Sequence, residues 1–251
     1  QKTAYEIMPS LVGSEMCKET ADIDIISNTI SANSTGILLE DCALPGEPRT
    51  VVVSGNTVSH NTGAGIALSS STGTIISNNT VEYNNDGIYL NDSDANTLSN
   101  NNVSNNNDNG IEVVAGSTGN IIGPTNAISG NTGFGILVDG GSTTTQITGN
   151  TGSIANNGSG GIKVDNATGT DISWNTIRNN PVGVSVTSNA NNTTIHYNDI
   201  TGNTTGISDS GTNTVIENEA QIVENYWRRI QNALNEASGS STVYVYGGTY
   251  V

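Results

Sequence analysis

The 251 residues carry 23 acidic and seven basic side chains, a formal net charge of -16, with only 33% hydrophobic and 4% aromatic residues. Such acidity excludes a phosphate backbone as partner, so nucleic acid is not expected, and the lack of any run of about 18 apolar residues excludes a membrane-spanning helix. An apolar share well below the roughly 45–50% of ordinary domains also excludes a thick globular core, unless a repeat builds a thin one by stacking.

Residues 1–22 carry no clear repeat and read as a junction or an irregular first coil. Cys17 lies in this segment and Cys42 follows 25 residues later, about one coil apart; they are the only two cysteines. Two cysteines in an exported chain favour a disulfide, within one chain or between neighbouring copies, with two free thiols as the plainer alternative. Their spacing is not that of a metal motif. The start at Gln1 fits removal of an export signal.

Residues 23–220 repeat. Gly-Ile, once Gly-Val, opens an apolar run at Gly36, Gly65, Gly87, Gly110, Gly135, Gly161, Gly183 and Gly206, with successive differences of 29, 22, 23, 25, 26, 22 and 23. The interval is too long for a hairpin strand, too short for a strand-helix-strand unit of about 30 residues, and fits one coil of a β-solenoid.

Each coil contains the pattern apolar-x-x-Asn-x-apolar, as in Ile25/Asn28/Ile30, Val53/Asn56/Val58, Ile76/Asn79/Val81, Leu98/Asn101/Val103, Ile172/Asn175/Ile177 and Ile195/Asn198/Ile200. Asn126 and Asn150 continue it with small insertions. A second asparagine follows the last apolar residue by three positions, at Asn33, Asn61, Asn84, Asn106, Asn131, Asn157, Asn180 and Asn203. Asparagine tolerates the left-handed conformation of a tight corner, and its amide can bond the equivalent amide one coil away, so both columns are expected to be asparagine ladders.

Alternation within the Gly-Ile strands turns Ile37/Leu39, Ile66/Leu68, Ile88/Leu90, Ile111/Val113, Ile136/Val138, Ile162/Val164 and Val184/Val186 inward. Leu38, Ala67, Tyr89, Glu112, Leu137, Lys163 and Ser185 then face outward. Stacking at about 4.8 Å makes eight repeats a rod of roughly 40 Å, with right-handed winding. Of the Asn-x-Ser/Thr sequons, those in the second asparagine column, Asn33, Asn157 and Asn203, are expected to be unusable, which leaves Asn91, Asn166 and Asn192 as glycan candidates.

After Asn218 the composition changes. Ile222, Tyr226, Ile230 and Leu234 fall at helical spacing with polar residues between them, Gly239 supplies a stop, and Thr242-Val243-Tyr244-Val245-Tyr246 alternates as a strand before Tyr250. Residues 221–251 therefore read as a helix-strand cap or an inter-subunit connector, with Trp227, Arg228 and Arg229 as its docking surface.

Segments such as ISNNTVEYNNDGIYL and ITGNTTGI resemble the right-handed parallel β-helix repeats of pectate-lyase-like proteins. They are most similar to the copper-accessory proteins of nitrous oxide reductase and to β-helix surface proteins of methanogenic archaea. The resemblance implies an all-β solenoid of about eight to nine coils. In proteins of this kind a helix followed by such a strand begins the solenoid, whereas here it ends the chain. A chain cut at the start of a second solenoid, a self-cap and a head-to-tail contact with the next copy each explain that order. The last makes the protein an extracellular structural subunit of a surface layer, sheath or filament, with itself and glycans as partners.

The chemistry-bearing residues are sparse. Asp139 and Asp165 sit at equivalent positions on adjacent coils, where a pair could do acid-base work on a sugar or merely close turns. Asp86, Asp92 and Asp94 could bind calcium loosely or form an ordinary acidic loop. His60 and His196 are six repeats apart, and Met8 and Met16 lie in the first segment, so copper lacks a ligand set. With Lys163 and Arg178 the only cations between Thr50 and Tyr226, no catalytic constellation is evident. The sequence reading is of a non-enzymatic chain without a bound cofactor, with a carbohydrate-binding module or a polysaccharide-active enzyme as alternatives.

Overall fold

The computed structural model describes residues 22–42, 50–217 and 222–223. Within them every regular element is a β-strand, and the strands form three parallel sheets, two of nine strands and one of eight. The chain visits the first, second and third sheet in turn and then repeats, which is a right-handed parallel β-solenoid with a three-sided cross-section. The first sheet runs from Ile23–Ile26 to Val215–Glu217, the second from Thr29–Ser31 to Ile222–Val223, and the third from Ile37–Glu40 to Thr205–Asp209.

Register follows the sequence repeat. In the third sheet Ile37, Ile66, Ile88, Ile111, Ile136, Ile162, Val184 and Ile207 lie directly above one another. These residues and the partners two positions on, from Leu39 to Val186, form one continuous buried column, most of it with no exposed surface. Burying each such side chain contributes about 1.5–3 kcal/mol, and three short stripes per coil suffice because the next coil covers each of them.

Both asparagine columns are ladders. In the first, each side-chain amide donates to the next amide oxygen, from Asn28 through Asn56, Asn79, Asn101, Asn126, Asn150 and Asn175 to Asn198, at 2.8–3.1 Å. The second runs in the same way from Asn61 to Asn203, and Asn33 joins it through its backbone N–H, which donates to Asn61 Oδ1 at 3.0 Å. Each amide oxygen also accepts the previous coil's backbone N–H, as Asn101 Oδ1 does from Asn79. The ladder thus satisfies buried main chain at the corners.

One expectation is corrected here. The ladder asparagines are not the left-handed residues; the residue before each of them is, from Ser27, Gly55 and Asn78 to Trp174 and Tyr197 in one corner and from Ala32, His60 and Tyr83 to Gly202 in the other. The preceding residue makes the turn with its side chain outward, which aims the asparagine inward.

The repeated glycine has a different cause. A Cβ on Gly65 would lie 2.5 Å from Val81 Cγ1, 2.7 Å from Asn84 Nδ2 and 2.9 Å from the Gly87 carbonyl oxygen. The backbone has to pass this close to the next coil's ladder, and only glycine allows it.

The third corner carries no asparagine ladder along its length, and the sequence reading missed it. Ser71, Ser93, Ser117 and Ser142 form one buried column there, and Thr74, Asn96, Asn120, Thr145, Thr170 and Thr193 form another. Ser71 N–H donates to Ser93 Oγ at 3.1 Å, and Asn96 Nδ2 to Asn120 Oδ1 at 3.0 Å. The serines and the Asn96–Asn120 pair bridge coils as the ladders do, whereas the hydroxyls of Thr74, Thr145, Thr170 and Thr193 are buried without a hydrogen-bond partner, so no single residue type marks the column.

At the far end Ile222–Val223 pair in parallel with Asp199–Ile200. Solenoid pairing extends to Val223, where the sequence placed the start of a helix: the backbone hydrogen bonds offered by an existing sheet edge outweigh a helical pattern two residues into its run. Ala67, expected outward, is buried at 8% exposure because its short side chain sits between Leu38 and Tyr89 on the sheet surface.

Candidate functional site

The outer face of the third sheet breaks the repeat. Register sets Leu38, Ala67, Tyr89, Glu112, Leu137, Lys163 and Ser185 in one outward row along the axis. Asp86, Asn109 and Phe134 flank the row where the chain enters the sheet, and Asn91, Val114, Asp139, Asp165 and Thr187 flank it where the chain leaves. The side chains at the centre of this surface are half-buried.

Asn109 organises one end. It is 6% exposed; its N–H donates to Asp86 Oδ1 at 3.2 Å, its Nδ2 to Glu112 Oε2 at 3.0 Å, and its Oδ1 accepts the Phe134 N–H at 2.9 Å. One residue therefore holds two carboxyl groups from adjacent coils, Asp86 through its backbone N–H and Glu112 through its side-chain amide. Burial pushes both carboxyls up from their ordinary values, and nearby carboxylates add to it: Asp108 for Asp86, and Asp86, Asp108 and Asp139 for Glu112. Tyr89, beside Glu112 in the row, is pushed up by burial and by the negative charges of Glu112 and Asp86.

The other end has the opposite character. Thr187 Oγ1 donates to Asp165 Oδ1 at 2.5 Å, Lys163 Nζ lies 2.9 Å from Asp165 Oδ2, and Asn189 Nδ2 donates at 3.3 Å. These bonds, the Thr187 hydroxyl first and Lys163 second, hold Asp165 down at about 2. Lys163 Nζ also sits 5.9 Å from the centre of the Phe134 ring. Two carboxyls that bind protons more tightly than usual and one that binds them less tightly thus share one sheet face, with Glu112 two coils or roughly 10 Å from Asp165.

The residues singled out from sequence distribute as follows. Asp139 and Asp165 stand on adjacent coils but do not share a proton: Asp165 belongs to Lys163 and Thr187, while Asp139 Oδ1 accepts the Gly140 N–H at 2.5 Å. Asp86 is not brought to Asp92 and Asp94, because it precedes the strand Ile88–Asn91 and they follow it. Asp94 Oδ1 instead accepts the Thr118 N–H at 2.7 Å. The acid pair that the structure does assemble, Asp86 with Glu112, was missed because its members occupy different positions in their coils.

Cys42 is disulfide-bonded, and Cys17 is the one other cysteine of the chain. Of the glycan candidates, Asn166 and Asn192 are exposed and Asn91 is half-buried at its strand end, whereas Asn157 and Asn203 are buried in the ladder. Tyr226, Trp227, Arg228, Arg229, Ile230, Leu234, Val243, Tyr244, Val245, Tyr246 and Tyr250 lie outside the described residues, as do Cys17, Met8 and Met16.

Two aromatic pairs complete the outer surface. His60 and Tyr83 stack at 5.1 Å on the corner that leads into the third sheet, and Trp174 and Tyr197 stack at 4.7 Å on the corner opposite it. All four are at positive φ, between 54 and 58°. That conformation costs an L-residue roughly 1–2 kcal/mol, so these positions hold bulky side chains against backbone preference.

A family model described as a right handed beta helix region matches residues 16–151, and one described as periplasmic copper-binding protein (NosD) matches residues 123–250. The described residues do not fit copper: they contain no group of three or more metal-capable His, Cys, Asp or Glu side chains. His60 is stacked on Tyr83, and both ring nitrogens of His196 face carboxylates, Asp171 at 2.9 Å and Glu217 at 3.7 Å. No curated protein matches the sequence.

Among solved structures, the chain is similar to the periplasmic alginate epimerase AlgG, at 22% identity and a TM-score of 0.69 over 80% of this chain and 50% of that one. The A-module of the mannuronan C-5 epimerase AlgE6 of Azotobacter vinelandii shows 17% identity and a TM-score of 0.60, over 80% of this chain and 64% of that module. The chain spans about half the length of AlgG, and at these identities the likeness is one of fold. It nevertheless corrects the reading of the chain as a non-enzyme. AlgG and AlgE6 are enzymes, and Asp86 and Glu112 form a carboxyl pair that the sequence reading did not assemble.

Proposed function

The chain belongs to the right-handed β-helix family, and from that premise we propose that the outer face of its third sheet binds an extended polysaccharide along the solenoid axis and exchanges protons with it. The carrying observation is the Asp86–Asn109–Glu112 arrangement, in which one buried residue binds two carboxyls, one through its backbone N–H and one through its side-chain amide, and burial raises the affinity of both for protons. Glu112 retains its proton at higher pH than a free carboxyl and serves as the acid, with Tyr89 beside it as a second proton-carrying group. Lys163 faces a substrate carboxylate, and Phe134 and Leu137 supply an apolar floor. The epimerases of similar fold, described as acting on alginate or mannuronan, support a uronate polymer as substrate and proton exchange beside its carboxylate as the reaction class, with the Asp86 carboxylate taking the proton and Glu112 returning one. A disulfide-bonded Cys42 and the periplasmic setting of AlgG and of the copper-binding family support an exported protein.

The test is incubation with polymannuronate and polygalacturonate in deuterated water, followed by proton NMR and by absorbance of unsaturated sugar ends. Deuterium uptake or elimination by the native chain, reduced at least 100-fold in Glu112→Gln, is expected. No exchange on either polymer, or equal rates in the variant, refutes the assignment.

A second reading, end-to-end assembly into an extracellular layer or filament, draws on the sheet termini. Among the described residues Ile23–Ile26, Thr29–Ser31 and Ile37–Glu40 each have a strand neighbour on one side only, and a strand from another copy can add there. Filaments in negative-stain micrographs that vanish on truncation after Asn218 support it; single rods from both proteins refute it.

A further inference from the structure

The corner between the first and second sheets, opposite the third-sheet face, holds one left-handed residue per coil. In six coils it is Ser27, Gly55, Asn78, Asn100, Thr125 or Gly149, and in the next two it is Trp174 and Tyr197. Small and amide side chains suit this backbone, and an indole and a phenol do not. The rings do not contribute to the core. Trp174 is 58% exposed, more than any other large apolar side chain among the described residues. Its ring lies on that of Tyr197 with planes 21° apart, and the His196 ring continues the ridge 4.9 Å from Tyr197.

Polar groups border the ridge on both sides and are already hydrogen-bonded among themselves. On the first-sheet side Asp171 Oδ2 is 2.9 Å from His196 Nε2, and Ser173 Oγ donates to Asp171 Oδ1 at 2.8 Å. On the second-sheet side Arg178 Nη2 donates to Asp199 Oδ2 at 3.2 Å. An aromatic platform between two hydrogen-bonded groups of polar side chains presents directional hydrogen bonding.

We propose that this ridge is a binding site for a neutral hexopyranose unit of a glycan, with the sugar's C–H face on the Trp174 indole and its hydroxyls on Asp171, Asp199 and Arg178. The negative face of the aromatic ring attracts the weakly positive C–H hydrogens of a pyranose, and the flanking carboxylates and guanidinium fix its rotation. A neutral unit is preferred over an anionic one at this ridge, since the cation beside it, Arg178, is committed to Asp199. The site lies on a different side of the solenoid from the third-sheet face, stands on its own residues and does not rest on the proton-exchange reading.

The test uses the full chain with Trp227→Phe, which leaves Trp174 as the sole tryptophan. Acrylamide quenching reports whether the ridge is open, and titration with cellohexaose, mannohexaose and chitohexaose reports binding through the Trp174 emission. Ready quenching in the free protein is expected, together with a saturable emission change for at least one hexasaccharide that then protects against acrylamide. Trp174→Asn in the same background restores a residue type native to the column. It is expected to weaken calorimetric binding at least tenfold while leaving the melting temperature unchanged or higher. Glu112→Gln should leave this binding unchanged, which separates it from the third-sheet site. The proposal is overturned if Trp174 is shielded from acrylamide in the free chain, by its own C-terminal residues or a second copy. It is equally overturned if none of the three sugars moves the emission, or if Trp174→Asn binds as well as its parent.

Discussion

The inside corners and the outer face of the third sheet obey opposite rules. At the two asparagine corners one residue type recurs in every coil, as from Asn61 to Asn203, because each amide is both donor and acceptor for its neighbours. On the outer face no coil repeats the last: Tyr89, Glu112, Leu137 and Lys163 follow one another at one register position. The stack demands identity where coils touch and leaves the exterior free, so departures from the repeat mark where chemistry can be placed.

The sharpest way to break this contrast is inside the ladder. Asn106→Ala removes the acceptor for the N–H and Nδ2 of Asn84 and the donors to Val81 O and Asn131 Oδ1. Buried groups left without partners cost about 1–3 kcal/mol each, so a loss of about 3–5 kcal/mol in urea unfolding is expected. A loss below about 1 kcal/mol would mean that water replaces the amide and that the ladder is not what ties the coils together.

A smaller but still large effect is expected at the repeated glycine. The Cβ of Gly110→Ala would lie 2.6 Å from the Gly135 carbonyl oxygen, 2.7 Å from Ile128 Cγ2 and 2.8 Å from Asn131 Nδ2. Overpacking of this kind costs about 1–3 kcal/mol, read as a lower melting temperature. The control is Gly73→Ala, where nothing lies within 4 Å but φ is +71°; it separates backbone strain from close approach. Equal losses at both sites would show that conformation, not the ladder's proximity, keeps glycine in the repeat.

The smallest effects are those of pH, and they sharpen the contrast between the two ends of the third-sheet face. Asp86 and Glu112 bind protons more tightly folded than unfolded, so their contribution is present below the unfolded values of 3.8 and 4.5 and is lost as pH rises through their higher folded values. Asp165 acts in reverse: its contribution is present above 3.8 and disappears as pH falls toward about 2. Glu112→Gln should therefore flatten the decline of stability above pH 4.5, and Asp165→Asn the decline below pH 3.8, each followed by urea unfolding across pH. An unchanged profile in either variant would remove the burial or the Lys163–Thr187 contacts as its cause.

Most of the scaffold was legible because a solenoid converts sequence period into spatial adjacency. Asn79 meets Asn101 simply because each occupies the same place in its coil, and Gly-Ile spacing aligned the third sheet from Ile37 to Ile207. The candidate site was much less legible. Asp139 and Asp165 drew attention as equivalent positions, yet Lys163 and Thr187 claim Asp165. Asp86 and Glu112 meet through Asn109 although no register position is common to them.

By itself, then, the amino-acid sequence determined the period, the all-β solenoid, the inward faces and both ladders, since these follow from residue types recurring at matched positions. The tertiary structure alone decided which residue of each corner takes the left-handed backbone and that the third corner runs on mixed serine, threonine and asparagine columns. It also decided that Asp86 and Glu112 bind protons more tightly than free carboxyls while Asp165 binds them less tightly. Protonation depends on burial and on neighbours 22 to 26 residues away in the chain, as Thr187 is from Asp165 and Glu112 from Asp86. Those distances close only when the coils stack.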